Sequence, residues 1–180
     1  MGLDTYFVRT SRNAFNIYKQ NLDDNGYDQK DHYINIRMDE VAYFRKFWSL
    51  FNRLNYSEED YGKYVEVPKE KIIALRDEAK KTILMVLKFL KDEGCEIEHS
   101  PLESVNLEGD YTKWLDACIS LKNGIFTDTL EDKCDEICNK IYEESDDFLF
   151  RKVITIYQKF SDILEQTDFE KEVILHESDW

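Results

Sequence analysis

The chain has 180 residues, 42% of them hydrophobic and 14% aromatic, with only 6 Gly and 2 Pro. Eleven Phe, eleven Tyr and three Trp exclude a disordered chain, since a protein of about this length buries roughly 70% of its unfolded surface. The 24 Lys and Arg stand against 38 Asp and Glu, a net charge of −14, and the longest apolar run, Ile83 to Leu87, falls far short of the roughly 18 residues of a membrane span.

Residues 3–9 are rich in β-branched and aromatic types and predict a strand almost at the start. Asp24-Asn25-Gly26 predicts a tight turn, because Asn-Gly tolerates positive φ. A calcium loop over Asn21, Asp23 and Asn25 fails, because its twelfth position is His32 and not a bidentate Glu. Residues 32–37 alternate and suit a short strand. Asp39 is placed to cap a helix whose apolar positions Val41, Phe44, Phe47, Trp48, Phe51 and Leu54 recur every three or four residues.

Tyr64, Val65 and Val67 predict a strand leading into the longest helix, from Lys69 to Glu93. Pro68 opens that helix, Ile72, Leu75, Ala79, Ile83, Val86, Leu87 and Leu90 form its apolar face, and Gly94 stops it. Residues 95–109, with Pro101 and Gly109, read as a connection. Asp110 is expected to cap a helix through Trp114, Leu115, Cys118, Ile119 and Leu121. Asp128 with Glu131 resembles a capping box before the Cys134 helix. Asp146 or Asp147 is expected to cap a last helix bearing Leu149, Val153, Ile156, Phe160, Ile163 and Leu164, and residues 171–176 predict a closing strand.

The order of these elements predicts an α+β fold: about five helices, two of them long, around a small, mostly antiparallel sheet that includes the N- and C-terminal strands. No repeat, Pro-rich linker or low-complexity stretch divides the sequence, so residues 1–180 are expected to form a single globular domain.

Three stretches carry a family likeness: Met1-Gly2-Leu3-Asp4-Thr5-Tyr6, Glu40-Val41-Ala42-Tyr43-Phe44-Arg45-Lys46, and Ser178-Asp179-Trp180. Together they resemble an uncharacterised family of small bacteriophage and bacterial proteins with a Met-Gly-Leu-Asp-x-Tyr start, a Tyr-Trp-Arg-Lys segment and a Ser-x-Trp ending. Phe44 stands where that family has Trp, and the Cys134 helix resembles an insertion. The likeness implies phage or mobile-element ancestry and action inside a bacterial cell. It implies no catalytic residue.

The charge is unevenly placed. Residues 1–91 hold 16 basic and 14 acidic side chains, whereas residues 92–147 hold 4 and 17. An anionic surface disfavours nucleic acid, whose binding needs Lys and Arg at phosphates. The start lacks a basic region leading into an apolar one, and Tyr6 occupies the position where myristoylation wants Ser or Thr. Four Cys without such a leader fit reduced thiols in a cytoplasm.

Gly-rich phosphate loops, Gly-x-Ser-x-Gly and His-Glu-x-x-His are absent from the sequence, so no cofactor is expected. Cys95, His99, Cys134 and Cys138 form a weak candidate Cys3His zinc set, since each pair is spaced to share a helix face. The stripe of Leu130, Cys134, Ile137, Cys138 and Ile141 is equally an apolar packing face, and no metal is expected.

If the first and last strands are neighbours, Asp4, Tyr6, Tyr43, Arg45, Lys46 and Trp180 gather near one edge as a candidate binding patch. Arg45 and Lys46 would meet an anion or an acidic partner, with Tyr43 and Trp180 as anchors. The function favoured by these residues is a non-enzymatic protein-interaction module whose partner is another protein. Two alternatives stand beside it: an acidic DNA mimic using residues 92–147, and a small enzyme with a dispersed site.

Overall fold

A computed structural model describes residues 4–20, 38–54, 63–97, 102, 119–121, 128–143 and 149–179. The expected turn at 24–26, the strand over 32–37, the helix over 110–118 and the caps at Asp146 and Asp147 lie outside them. Among the described residues, five helices and a four-stranded antiparallel sheet give an α+β architecture. The chain divides into two compact units, Met1–Ile72 with Asp162–Trp180, and Ile73–Ser161.

In the first unit, β1 (Asp4–Ser11) runs directly into α1 (Arg12–Gln20). Ser11 Oγ accepts the Ala14 N–H at 3.1 Å, satisfying one of the donors that a helix start leaves open. β2 (Asp39–Arg45), α2 (Trp48–Leu54) and β3 (Val65–Glu66) follow, and β6 (Glu172–Asp179) returns at the end. The sheet order is β2-β1-β6-β3, with every pair antiparallel. The first and last strands are therefore its two central members.

β1 pairs with β6 over eight residues, from Asp4↔Asp179 to Ser11↔Glu172. Its pairing with β2 runs from Asp4↔Arg45 to Arg9↔Asp39, and a bulge at Phe7/Val8 leaves Val41 as the extra residue. The sheet face bearing Phe7, Ala42, Phe44, Ile174 and His176 is buried, and Phe47, Leu50 and Phe51 are also core residues of this unit.

The segment expected to be helical from Asp39 is a strand up to Arg45, and only Trp48–Leu54 is helix. Buried Ala42 and Phe44 alternate there with exposed Tyr43 and Arg45, a period of two. Lys46, at a φ of 51°, turns the chain between strand and helix. The three-and-four spacing of Val41, Phe44, Phe47 and Phe51 is real, but pairing with β1 overrides it. Cross-strand rings make that pairing favourable: Tyr6 with Tyr43, and Phe7 edge-on to Phe44 at 5.8 Å.

Two arginines tie the turn before β6 to β1. Arg9 reaches Gln166 O at 2.8 Å and lies 3.7 Å from Glu172, while Arg12 reaches Phe169 O and Glu66, each at 3.2 Å. The turn is built on Asp168, whose carboxylate accepts the Glu170 N–H at 3.2 Å and meets Lys171 Nζ at 2.9 Å. The Lys171 ammonium, together with backbone N–H donors, holds this carboxyl below its ordinary value, partly offset by desolvation.

The second unit holds most of α3 (Lys69–Asp92), then β4 (Cys95–Ile97), β5 (Ile119–Leu121), α4 (Asp128–Tyr142) and the greater part of α5 (Leu149–Gln166). α3 stops at Gly94, whose φ of 86° suits glycine and whose N–H reaches Lys91 O at 3.0 Å. α5 begins with its Phe150 N–H donated to Asp135 of α4 at 2.7 Å, a cap supplied by another helix.

Two sequence expectations fail in this unit. Residues 95–97 are a strand and not a connection, and Ile119–Leu121 is its antiparallel partner and not the end of a helix. The pairing Cys95↔Leu121 and Ile97↔Ile119 joins segments more than twenty residues apart, which a local pattern cannot announce. Leu75, Ala79, Ile83, Val86, Leu90, Cys134, Cys138, Tyr142, Phe150 and Val153 are among this unit's buried residues.

Candidate interaction surface

β1, β2 and β6 present a second face opposite the Phe7 core. Along β1 it bears Asp4, Tyr6, Val8 and Thr10, because alternate residues of a strand share a side. One half of this face is covered: Val8, Val173 and Leu175 pack with Phe15 of α1, and Tyr18, Met38 and Tyr64 close around them. The other half holds Asp4 and Tyr6 of β1, Tyr43 and Arg45 of β2 and Glu177 of β6, all fixed by the registers Asp4↔Arg45, Tyr6↔Tyr43 and Tyr6↔Glu177.

The Tyr6 and Tyr43 rings lie with centroids 5.0 Å apart and planes tilted by 33°, within the range in which aromatic pairs attract. Tyr43 remains 39% exposed. Partial desolvation, the hydrogen bond its hydroxyl makes to Asp4 and the nearby Asp4 charge hold the phenol above its ordinary value. Arg45 Nε stands 3.9 Å from Asp4 Oδ1, too long for a hydrogen bond, and the Arg45 side chain is 70% exposed. Its guanidinium donors therefore face solvent on a strand that fixes their base. Exposed Lys46 follows at the strand end.

Four of the six candidate patch residues, Asp4, Tyr6, Tyr43 and Arg45, are thus brought together, and Lys46 follows in the turn after β2. Trp180 lies outside the described residues, although Asp179 before it pairs with Asp4. Tyr43 and Arg45 arrive through β2 and not through a helix.

The candidate zinc residues have another environment. Cys95, Cys134 and Cys138 are buried and outside any disulfide, and His99 lies outside the described residues. Burial, Asp135 and Cys134 push the Cys138 thiol far up. Among the described residues no group of three or more His, Cys, Asp or Glu is disposed to hold a metal ion. In native protein at neutral pH, Cys134 and Cys138 are expected to resist iodoacetamide and to react once urea unfolds the chain. Mass spectrometry of the alkylated peptides checks this, and prompt native labelling would contradict the buried assignment.

His176 is buried in the Phe7 core, its ring 5.5 Å from that of Phe7 and 6.1 Å from that of Phe51. Its position is that of a packing residue.

One surface escaped the sequence reading. Asp77, Lys80, Lys81, Leu84, Met85 and Lys88 line a shallow recess on α3, and Leu84 and Met85 are 49% and 46% exposed. Their spacing places them opposite Leu75, Ala79, Ile83, Val86 and Leu90. The signal was present as a second helical stripe, but Leu84 and Met85 sit inside the apolar run 83–87 and merge with the core face when only hydrophobicity is read.

Among the described residues no helix is long and apolar enough to cross a membrane. Comparisons with protein-family models, with curated proteins and with solved structures gave no match for this chain.

Proposed function

We propose that the chain is a non-enzymatic protein-interaction module of phage or mobile-element type, acting in the bacterial cytoplasm, and that the uncovered half of its sheet is the contact surface. The observation that carries this reading is the paired Tyr6 and Tyr43 rings, set on paired strands beside the exposed guanidinium of Arg45. Tyr and Arg are the side chains that concentrate binding energy at interfaces, because they combine area, rigidity and hydrogen bonding. A partner presenting carboxylates would meet Arg45 and Lys46, with apolar atoms against the tyrosines. The reduced, buried thiols suit a reducing compartment, and the three-part sequence likeness supplies the phage ancestry.

The test is affinity capture from lysates of phage-infected and uninfected bacteria, with wild type beside an Arg45→Ala/Lys46→Ala double variant and a Tyr43→Ala variant. A stoichiometric protein is expected on wild type and at least about tenfold less on either variant, with the thermal midpoint nearly unchanged because these side chains are exposed. Equal capture by all three would remove the patch from the function. Loss of folding would assign the residues to structure.

A further inference from the structure

β2 ends the sheet order β2-β1-β6-β3 and, among the described residues, pairs with β1 alone. An edge strand directs backbone N–H and C=O groups away from its sheet, where they can template another strand. The opposite edge is β3, only two residues long, and such shortness guards an edge against pairing. β2 has seven residues.

The charges of β2 are sorted by sign along it. Glu40 stands near one end and Arg45 at the other, with Tyr43 between them, and all three are exposed. They also share a side of the sheet. Glu40 is opposite Val8, Tyr43 opposite Tyr6 and Arg45 opposite Asp4, and Asp4, Tyr6 and Val8 alternate onto one face of β1. The bulge makes this possible, because the extra residue Val41 returns Glu40 to the Tyr43 side despite the odd spacing between them. Residues 42–45 beyond the bulge pair regularly.

Charges on an edge ordinarily keep a strand from its own copy, since like charges placed opposite one another repel. Parallel pairing of two β2 strands would do this, with Glu40 beside Glu40 and Arg45 beside Arg45. Antiparallel pairing about a twofold axis at Tyr43 does the reverse. Tyr43 then meets Tyr43, Ala42 meets Phe44, and Val41 with Glu40 comes opposite Arg45, so each copy's carboxylate faces the other's guanidinium. The Tyr43 rings, each with its centroid 5.0 Å from that of Tyr6, extend into a row of four across the join. Moving the axis to Ala42 or to Phe44 takes Glu40 two residues away from Arg45.

We infer that two copies of this chain associate edge to edge through β2, antiparallel about Tyr43, joining two four-stranded sheets into one of eight strands. Main-chain hydrogen bonds hold the edges together, and the Glu40–Arg45 pairs select direction and register. The inference rests on the proposed reading of Tyr43 and Arg45 as contact residues and names a second copy as one partner of theirs. The net charge of −14 on each copy opposes association, so the dimer is weak and concentration-dependent.

Sedimentation equilibrium of the full chain in about 0.15 M salt, where screening confines charge effects to about 8 Å, tests the inference, and amide hydrogen exchange locates the contact. Wild type is expected to pass from monomer to dimer below about 1 mM, with exchange over residues 42–45 slowing as the dimer forms. Glu40→Lys and Arg45→Glu are each expected to weaken the dimer at least about tenfold. A mixture of these two variants, and the Glu40→Lys/Arg45→Glu double variant alone, are expected to recover it, because opposite charges face each other again. Circular dichroism confirms that each variant is folded. Wild type that stays monomeric to about 1 mM, a dimer in which residues 42–45 exchange as in the monomer, or charge reversals without effect or without recovery would overturn it. A monomeric wild type that still captures a bacterial protein through Tyr43 and Arg45 overturns this inference and leaves the contact surface standing. A dimer whose Tyr43→Ala and Arg45→Ala/Lys46→Ala variants capture that protein as wild type does overturns the contact surface instead.

Discussion

Phe7→Ala is expected to destabilise the unit containing the sheet by about 3–5 kcal/mol, the usual cost of removing a buried aromatic ring and leaving a cavity. Phe7 is fully buried at the middle of β1, opposite Ala42 on one side and His176 on the other. Its ring meets Phe44 edge-on at 5.8 Å and His176 at 5.5 Å. Neither neighbour can move into the void without shifting a strand that is paired in register. A domain is typically stable by about 5–15 kcal/mol, so the loss is a large share of the total. Urea unfolding followed by hydrogen exchange at β1 and β6 gives the number, with Tyr43→Ala as the exposed comparison on the neighbouring strand. A cost below about 1 kcal/mol, the size of an ordinary surface change, would mean that the face bearing Phe7 is not the core.

Ending the chain after Lys171 is expected to abolish the sheet. The deletion removes β6, which pairs with β1 over its whole length and with β3 through Val65↔His176 and Glu66↔Leu175. It also removes the Ile174 carbonyl that accepts the Val67 N–H at 2.8 Å. Val173, Ile174 and Leu175 are buried to within 1%, and burial of each such side chain is worth about 1.5–3 kcal/mol. Their loss alone rivals the stability of a domain. β1 would be left with an open edge that invites pairing with other chains, and Arg9 would lose Glu172. Loss of amide protection along β1, with aggregation, is the expected readout. Retained protection at Phe7 and Val8 would show that the sheet survives without its C-terminal strand.

α3 was legible in the sequence because everything that defines it is local. Pro68 opens it, with its carbonyl accepting the Ile72 N–H at 3.2 Å; seven apolar residues keep a helical period; and Gly94 supplies the positive φ that ends it. β1 and β6 were legible for similar reasons, being short and β-branched or aromatic. β2 was not. Its residues satisfy two periods at once, because Phe44 and Phe47 enter the same core whether the chain coils or extends, and the choice is made by β1 lying alongside. β4 and β5 were hidden for the same reason in stronger form: three residues each, with no stability apart from the partner strand.

The candidate surface divides along the same line. The sequence grouped Asp4, Tyr6, Tyr43 and Arg45 on the condition that the two terminal strands be neighbours; β1 and β6 are paired, but it is the pairing of β1 with β2, read from the sequence as helix, that sets Tyr43 and Arg45 beside Asp4 and Tyr6. Which side of the sheet they occupy did not follow, nor did the covering of only half that side by α1. The α3 ridge needed the burial of Ile83 and Val86 to separate Leu84 and Met85 from the core.

The sequence by itself determined the α+β class, the long helices and the ends of α3, the two terminal strands and the concentration of acidic charge in residues 92–147, because propensity, capping and composition act over a few neighbours at a time. Tertiary structure decided that residues 39–45 are a strand, that the termini form the centre of the sheet and that a tyrosine pair and a lysine-framed ridge face outward. Those outcomes depend on strand pairing and burial between segments distant in the chain, where the energy of contact exceeds any local preference.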